Sequence, residues 1–245
     1  MSRFYAPKEN ISKDKITIEG KEAHHILDVM RMKDGDEVVV FDGTGNEYSG
    51  FIKGVDPKEK KLIVQVVRVE RPFSEKMPEV ILAQAIPRKN KMEYIVEKST
   101  ELGVSRIVPI VTDRTIVRPD DARSKKKVAK WRRIALEASK QCGRTSVPKI
   151  EKVTDYKKFV KLIDQFDTVL FACLRDGNVP VREALDDVGS GRILVFIGPE
   201  SDFTEEEIEM ADRHNSRFIS LGKRVLKSDT AGLFVLAVLN YEMGI

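Results

Sequence analysis

From Pro78 onward the chain alternates strand-like apolar runs with helix-length amphipathic stretches, and this alternation constrains the fold more than any other feature. VILAQAI leads to a helix predicted over about Lys91 to Leu102, and RIVPIV to one through Val128 to Gln141. TVLFACL is followed by a short helix near Val181 to Leu185, RILVFIG by a helix from about Glu205 to Arg213, and RFISLG by a terminal helix from about Asp229 to Glu242. An α/β domain with a mostly parallel sheet between helices is the expected result, and such sheets bind ligands at the carboxyl ends of their strands. Two helix starts are marked. Thr204 to Glu207 reads as a capping box. Ser228 reads as the N-cap of the last helix, with Asp229 in its first turn.

The first 70 or so residues have a different rhythm. Short β-like runs, RFYA, KITI, DEVVVFDG, EYSGFI and KLIVQVVRVE, are punctuated by turn signals at Asp34-Gly35 and Asp42-Gly43. One helix, about Lys21 to Met32, is predicted among them from the spacing of Ala23, Ile26, Leu27 and Met30. A small, mostly antiparallel β-barrel or sandwich is expected to end near Arg71-Pro72. The chain therefore divides into a small domain, 1–72, and a larger one, 73–245.

Several classes of function are excluded. The longest apolar run, Ala231 to Leu239, is about half of the ~20 residues a spanning helix needs, so no membrane span is predicted. The amino terminus lacks the apolar run of a secretory signal, and a cytoplasmic location is expected. Cys142 and Cys173 stand far apart, His24 and His25 are adjacent and His214 is isolated, so neither a disulfide framework nor a metal site is encoded. The net charge is only +4, but residues 73–155 hold 19 basic side chains against 11 acidic. That excess concentrates between Arg118 and Lys152 and fits either a polyanion partner or a solvated helix face.

Two segments can carry chemistry. ILVFIGPESDFTEEEIE is a buried strand entering a Gly198-Pro199-Glu200-Ser201-Asp202 turn before a capped helix. FISLGKRVLKSDTAGLFVLAVLNY is a strand ending at Leu221-Gly222, then a basic loop in which Val225 and Leu226 sit among Lys223, Arg224 and Lys227. Two apolar residues in such a loop suggest that it folds over something flat and apolar. No G-x-G-x-x-G, Walker A or H-E-x-x-H pattern is present, so any cofactor is held in another way.

The runs QAIPRKNKMEYIVEKSTELGVSRIVPIVTDRTIV, KWRRIALEASKQCGRTSVPKI, FIGPESDFTEEEI and LGKRVLKSDTAGLFVLAVL resemble the successive motifs of the bacterial 16S rRNA uracil-N3 methyltransferases, members of the SPOUT class of trefoil-knotted enzymes. HHILDVMRMKDGDEVVVFDG is similar to that family's small PUA-like RNA-binding domain. The resemblance covers nearly the whole chain, in order. It implies a homodimer that uses S-adenosyl-L-methionine to methylate N3 of a uridine in 16S rRNA of the small ribosomal subunit. Carried over by motif, the cofactor loops are Leu174, the turn Ile197-Gly198-Pro199-Glu200, and Leu221-Gly222-Lys223 through Leu226. The implied reaction is an in-line displacement by uracil N3. Arg224 is the candidate for stabilising the uracil anion and Asp229 the candidate proton acceptor or orienter. RNA contacts are expected from Arg3, His25 and Arg31 in the small domain, and from Lys89, Arg114, Arg118, Lys125, Lys126, Lys127 and Arg144 in the larger.

The sequence also departs from the family pattern. Ser201 and Asp202 stand where two glycines are usual, and Lys227-Ser228-Asp229 replaces an Arg-Thr-Glu triplet. The first departure motivates an alternative reading, an RNA-binding or ribosome-assembly protein that keeps the fold with impaired transfer. A third reading, an unrelated nucleotide-binding enzyme, leaves the small β domain and the basic middle segment unexplained.

Overall fold

The computed structural model describes residues 3–56, 58–72, 77–89 and 91–244. The expected domain boundary after Pro72 runs into 73–76, outside the described residues. By contact the chain forms two compact units, Met1–Glu75 with Ser139–Val147, and Lys76–Ala138 with Pro148–Ile245.

In the first unit, β1 (Arg3–Tyr5), β2 (Lys15–Glu19), β3 (Glu37–Phe41), β4 (Glu47–Asp56) and β5 (Lys61–Glu70) form one sheet in the order β1-β3-β4-β5-β2. Only the β1–β3 pair is parallel. The alternation of side chains puts Ile16, Ile18, Val38, Val40, Ile52, Leu62 and Val64 on one face, where they close over Phe4 and Ile26. β4 shifts register at Ser49/Gly50, and a side chain at Gly50 would run into the Gln65 carbonyl, so the bulge requires glycine. The segment Ser139–Val147 is tied in by Val147 N–H to the Gly43 carbonyl at 3.0 Å and by a 2.9 Å ion pair from Lys140 to Glu22.

The predicted Lys21–Met32 helix is shorter than expected. An α-helix, α1 (Gly20–His24), passes into one π-helical turn over His25–Val29, and the left-handed Arg31 (φ 56°) ends it.

The second unit is built on eight strands: β6 (Glu79–Ala85), β7 (Arg106–Val111), β8 (Lys149–Ile150), β9 (Thr154–Asp155), β10 (Thr168–Ala172), β11 (Val179–Pro180), β12 (Arg192–Ile197) and β13 (Arg217–Ser220). Their order is β11-β13-β10-β12-β6-β7-β8, with β9 also on β7, and every pairing is parallel. β10 and β12 are almost entirely buried, as strands covered on both faces must be. The helices are α2 (Lys91–Glu101), α3 (Asp121–Cys142), α4 (Tyr156–Phe159, continuing as a 3-10 helix to Gln165), α5 (Glu205–Asp212) and α6 (Ser228–Met243). The core centres on aromatic rings: Phe171 lies 4.4 Å from Phe203, and Tyr156 packs on Phe196 and Phe203. Each such fully buried side chain contributes on the order of 1.5–3 kcal/mol.

Four local expectations change. α3 begins at Asp121 rather than Val128, and the expected Val181–Leu185 helix is a single 3-10 turn, Glu183–Leu185. The helix at 156–165 was not expected, although Tyr156, Phe159, Val160 and Ile163 have helical spacing. Ser228 is not the cap of α6. Lys227 holds that position, and the Ser228 hydroxyl turns inward, donating to the Gly198 carbonyl at 2.6 Å and accepting from buried Gln84 Nε2 at 3.0 Å. The Thr204–Glu207 capping box is present, and Glu207 also accepts from the Asp113 N–H at 2.8 Å.

Candidate cofactor cavity

Because β13, β10 and β12 are neighbours, the loops that follow them leave the sheet side by side. Loop 173–178 follows β10, loop 198–204 follows β12, and loop 221–227 leads from β13 to α6. Together they wall a cavity of about 680 Å³, of the size that holds a small-molecule cofactor.

Of the residues expected to bind a cofactor, Leu174, Ile197, Gly198, Pro199, Glu200, Leu221, Gly222 and Leu226 all line this cavity; Lys223 stands in the same loop but not on the wall. Leu174 is 69% exposed and Val225 75% exposed, both facing the cavity. Each loop has its own constraint. Gly222 is left-handed (φ 107°). A side chain on Gly198 would meet the Phe203 ring at 3.0 Å and Asp202 at 3.2 Å. Glu200 accepts the Arg88 N–H at 2.9 Å, tying the loop after β6 to the loop after β12.

Sequence reasoning missed several cavity residues. Lys91, at the start of α2, lines the wall and forms a 3.0 Å ion pair with Asp229. Asn178 also lines it. Its Nδ2 donates to the Cys173 carbonyl at 2.7 Å, and its buried Oδ1 has no partner among the described residues. Asp202 takes the left-handed conformation (φ 61°), and its carboxylate accepts the Leu174 N–H at 2.7 Å. No local signal marks Lys91 or Asn178, because their neighbours in the cavity come from distant loops. Burial, aided by the nearby Asp202 carboxylate, pushes the Cys173 thiol up to about 11, so it stays protonated at neutral pH.

The catalytic candidates are placed unequally. Arg224 lines the cavity, is exposed, and makes no hydrogen bond or ion pair among the described residues. Asp229 is half-buried and held by Lys91 behind the cavity wall.

The basic residues expected to meet RNA fall into two groups. His25, Arg31, Lys89, Lys125 and Lys126 are exposed and Lys127 is half-buried. The other four hold the protein's own groups. Arg114 bonds the carbonyls of Ser201 and Phe203, both at 2.9 Å, and Arg118 those of Thr112, Thr115 and Asp113. Arg3 pairs with Glu47 and donates to the Gly143 carbonyl, while Arg144 is largely enclosed beside Ser146.

The cavity offers loop backbone, an apolar rim, an orphaned buried acceptor at Asn178 and cations at its mouth. Among the described residues no cluster of three or more metal-ligating side chains exists. Parallel sheets bind ligands at the carboxyl ends of their strands, and this cavity lies there.

Comparison with known proteins makes this specific. The RNA methyltransferase domain model matches residues 74–240 and the RNA methyltransferase PUA domain model residues 18–65. The chain belongs to this RNA methyltransferase family. Among its relatives is the ribosomal RNA small subunit methyltransferase E of Bacillus subtilis, 31% identical over 92% of this chain and 90% of that one. A Legionella pneumophila methyltransferase solved with bound SAM is 30% identical, with a TM-score of 0.85 over 98% of this chain and 97% of that one. The ribosomal RNA small subunit methyltransferase E of Neisseria gonorrhoeae, bound to S-adenosyl methionine, is 26% identical, with a TM-score of 0.82 over 99% and 98%.

Proposed function

We propose that this chain transfers a methyl group from S-adenosylmethionine to N3 of a uridine in 16S rRNA of the small ribosomal subunit. The observation that carries the reading is the cavity itself: Leu174 and Val225 expose apolar side chains on its wall, and Arg224 lines it with no partner among the described residues. The apolar rim fits a flat adenine, and the loop backbone fits its polar edge. When bound, the cofactor supplies an electrophilic methyl group on a sulfonium.

The chain's own residues do the rest. The three loops fix the cofactor's orientation and exclude water, so that much of the rate comes from positioning. Arg224, always charged, stabilises the negative charge that spreads onto the uracil carbonyl oxygens once N3 gives up its proton. Asp229, paired with Lys91 at 3.0 Å, orients the start of α6 and is the proposed acceptor or orienter for that proton.

RNA is held by the small domain, 1–72, and by the exposed cations of the larger, 73–245, with Lys125 and Lys126 standing clear on α3. The trefoil knot and the homodimer belong to the same proposal. The knot rests on membership of the family, and Phe234 and Tyr241, 39% and 86% exposed on α6, support the homodimer. No helix among the described residues is long and apolar enough to cross a membrane, and the proposed substrate places the enzyme in the cytoplasm. No observation favours the reading in which transfer is impaired. The turn that carries Ser201 and Asp202 is formed and bonded on both sides.

The test is transfer of labelled methyl from S-adenosylmethionine into small subunits that lack the modification, followed by nucleoside mass spectrometry. N3-methyluridine is the expected product. Label in any other nucleoside would overturn the assignment.

A further inference from the structure

Resting on the cofactor reading, we infer that Asp202 is a positioning residue: its carboxylate staples the backbone of the Leu174 loop to the Gly198 turn, so that two walls of the cavity form one preorganised surface.

Four observations carry this. The Asp202 carboxylate accepts the Leu174 N–H at 2.7 Å, across 28 residues of sequence and between the loops that follow β10 and β12. Its other oxygen lies close over Gly198, 3.2 Å from where a side chain there would begin. Arg114 grips the residues on either side of Asp202, taking the Ser201 and Phe203 carbonyls at 2.9 Å each. Asp202 also adopts φ 61°, a conformation that asparagine and aspartate tolerate better than other side chains but that still favours glycine. The side chain is therefore kept where its backbone would prefer none, and the structure shows what it holds: the one loop whose apolar Leu174 is left 69% exposed to the cavity. A loop fixed before the cofactor arrives loses less entropy on binding, so the staple acts on affinity more than on the chemical step. This also assigns Arg114 a supporting role in the same turn.

The experiment compares wild-type protein with Asp202→Gly and Asp202→Asn, measuring S-adenosylmethionine binding by calorimetry, KM and kcat of methyl transfer, and thermal stability. Glycine relaxes the backbone but removes the acceptor. Asparagine keeps an acceptor oxygen without the charge. For Asp202→Gly the expected result is a dissociation constant and a cofactor KM raised about tenfold, kcat within about twofold, and a melting temperature within a few degrees of wild type. Asp202→Asn is expected to restore affinity to within about threefold. Unchanged affinity in Asp202→Gly overturns the proposal, as does an Asp202→Asn variant as weak as Asp202→Gly, which would make the charge the active feature. If wild-type protein itself fails to bind S-adenosylmethionine, the cofactor reading fails instead, and the two failures are distinguished by that control.

Discussion

The two ends of the parallel sheet are finished in opposite ways. At the amino ends of the strands the charged groups pair with one another, although the buried Ser216 hydroxyl just before β13 has no partner among the described residues. Arg106 at the start of β7 pairs with Glu79 at the start of β6 at 2.8 Å, Arg217 at the start of β13 pairs with Asp187 at 2.5 Å, and the Arg192 N–H at the start of β12 donates to Asp167 at 2.7 Å. At the carboxyl ends apolar Leu174 and Val225 stand exposed, Asn178 Oδ1 is buried without a partner, and Arg224 has no counter-ion among the described residues. The difference between the two ends is one of completion. The proposed site lies at the carboxyl end, where exposed apolar side chains and the cation Arg224 face one cavity.

The most severe way to break this contrast is Arg224→Ala. Methyl transfer is expected to fall by about 100-fold or more, the range for losing a group that stabilises developing charge, while cofactor affinity stays within about threefold. Equal losses of transfer and affinity would remove Arg224 from the chemistry.

Gly198→Ala is the next in size. The added carbon would press on the Phe203 ring at 3.0 Å and on Asp202, so overpacking of about 1–3 kcal/mol is expected, with a lower melting temperature and cofactor affinity weakened more than tenfold. Calorimetry and thermal unfolding measure both effects.

The closed end gives the smallest effect. The Arg217 guanidinium bonded to Asp187 holds its carboxyl below the usual carboxylate range. A depressed folded value means that the pair stabilises above the unfolded value near 4 and loses that contribution as pH falls through the lower folded value. Asp187→Asn should therefore melt slightly below wild type at pH 7, converge with it in strong acid, and bind cofactor unchanged. A loss of cofactor binding in this variant would contradict the division between the ends.

How much of this was legible depends on how far each feature reaches along the chain. The Thr204–Glu207 capping box spans four residues and stands as expected, and the buried strands β10 and β12 follow directly from TVLFA and RILVFI. Ser228 did not follow local rules, because Gln84, 144 residues away, draws its hydroxyl inward and the cap passes to Lys227. The helix at 156–165 carries its own local signal, Tyr156, Phe159, Val160 and Ile163 at helical spacing. The cavity loops were named through motifs. Their partners Lys91 and Asn178 were not, since nothing near either residue in sequence shows that strand order will bring it to the same wall.

The most direct measurement on the central claim is calorimetric titration of S-adenosylmethionine into wild-type protein and the double variant Leu174→Ser, Val225→Ser. Both side chains are exposed, so the melting temperature should hold, while losing the apolar cover should weaken binding by tenfold or more. Undiminished affinity in a folded double variant would mean that the cofactor lies elsewhere and that the open end of the sheet is not the site.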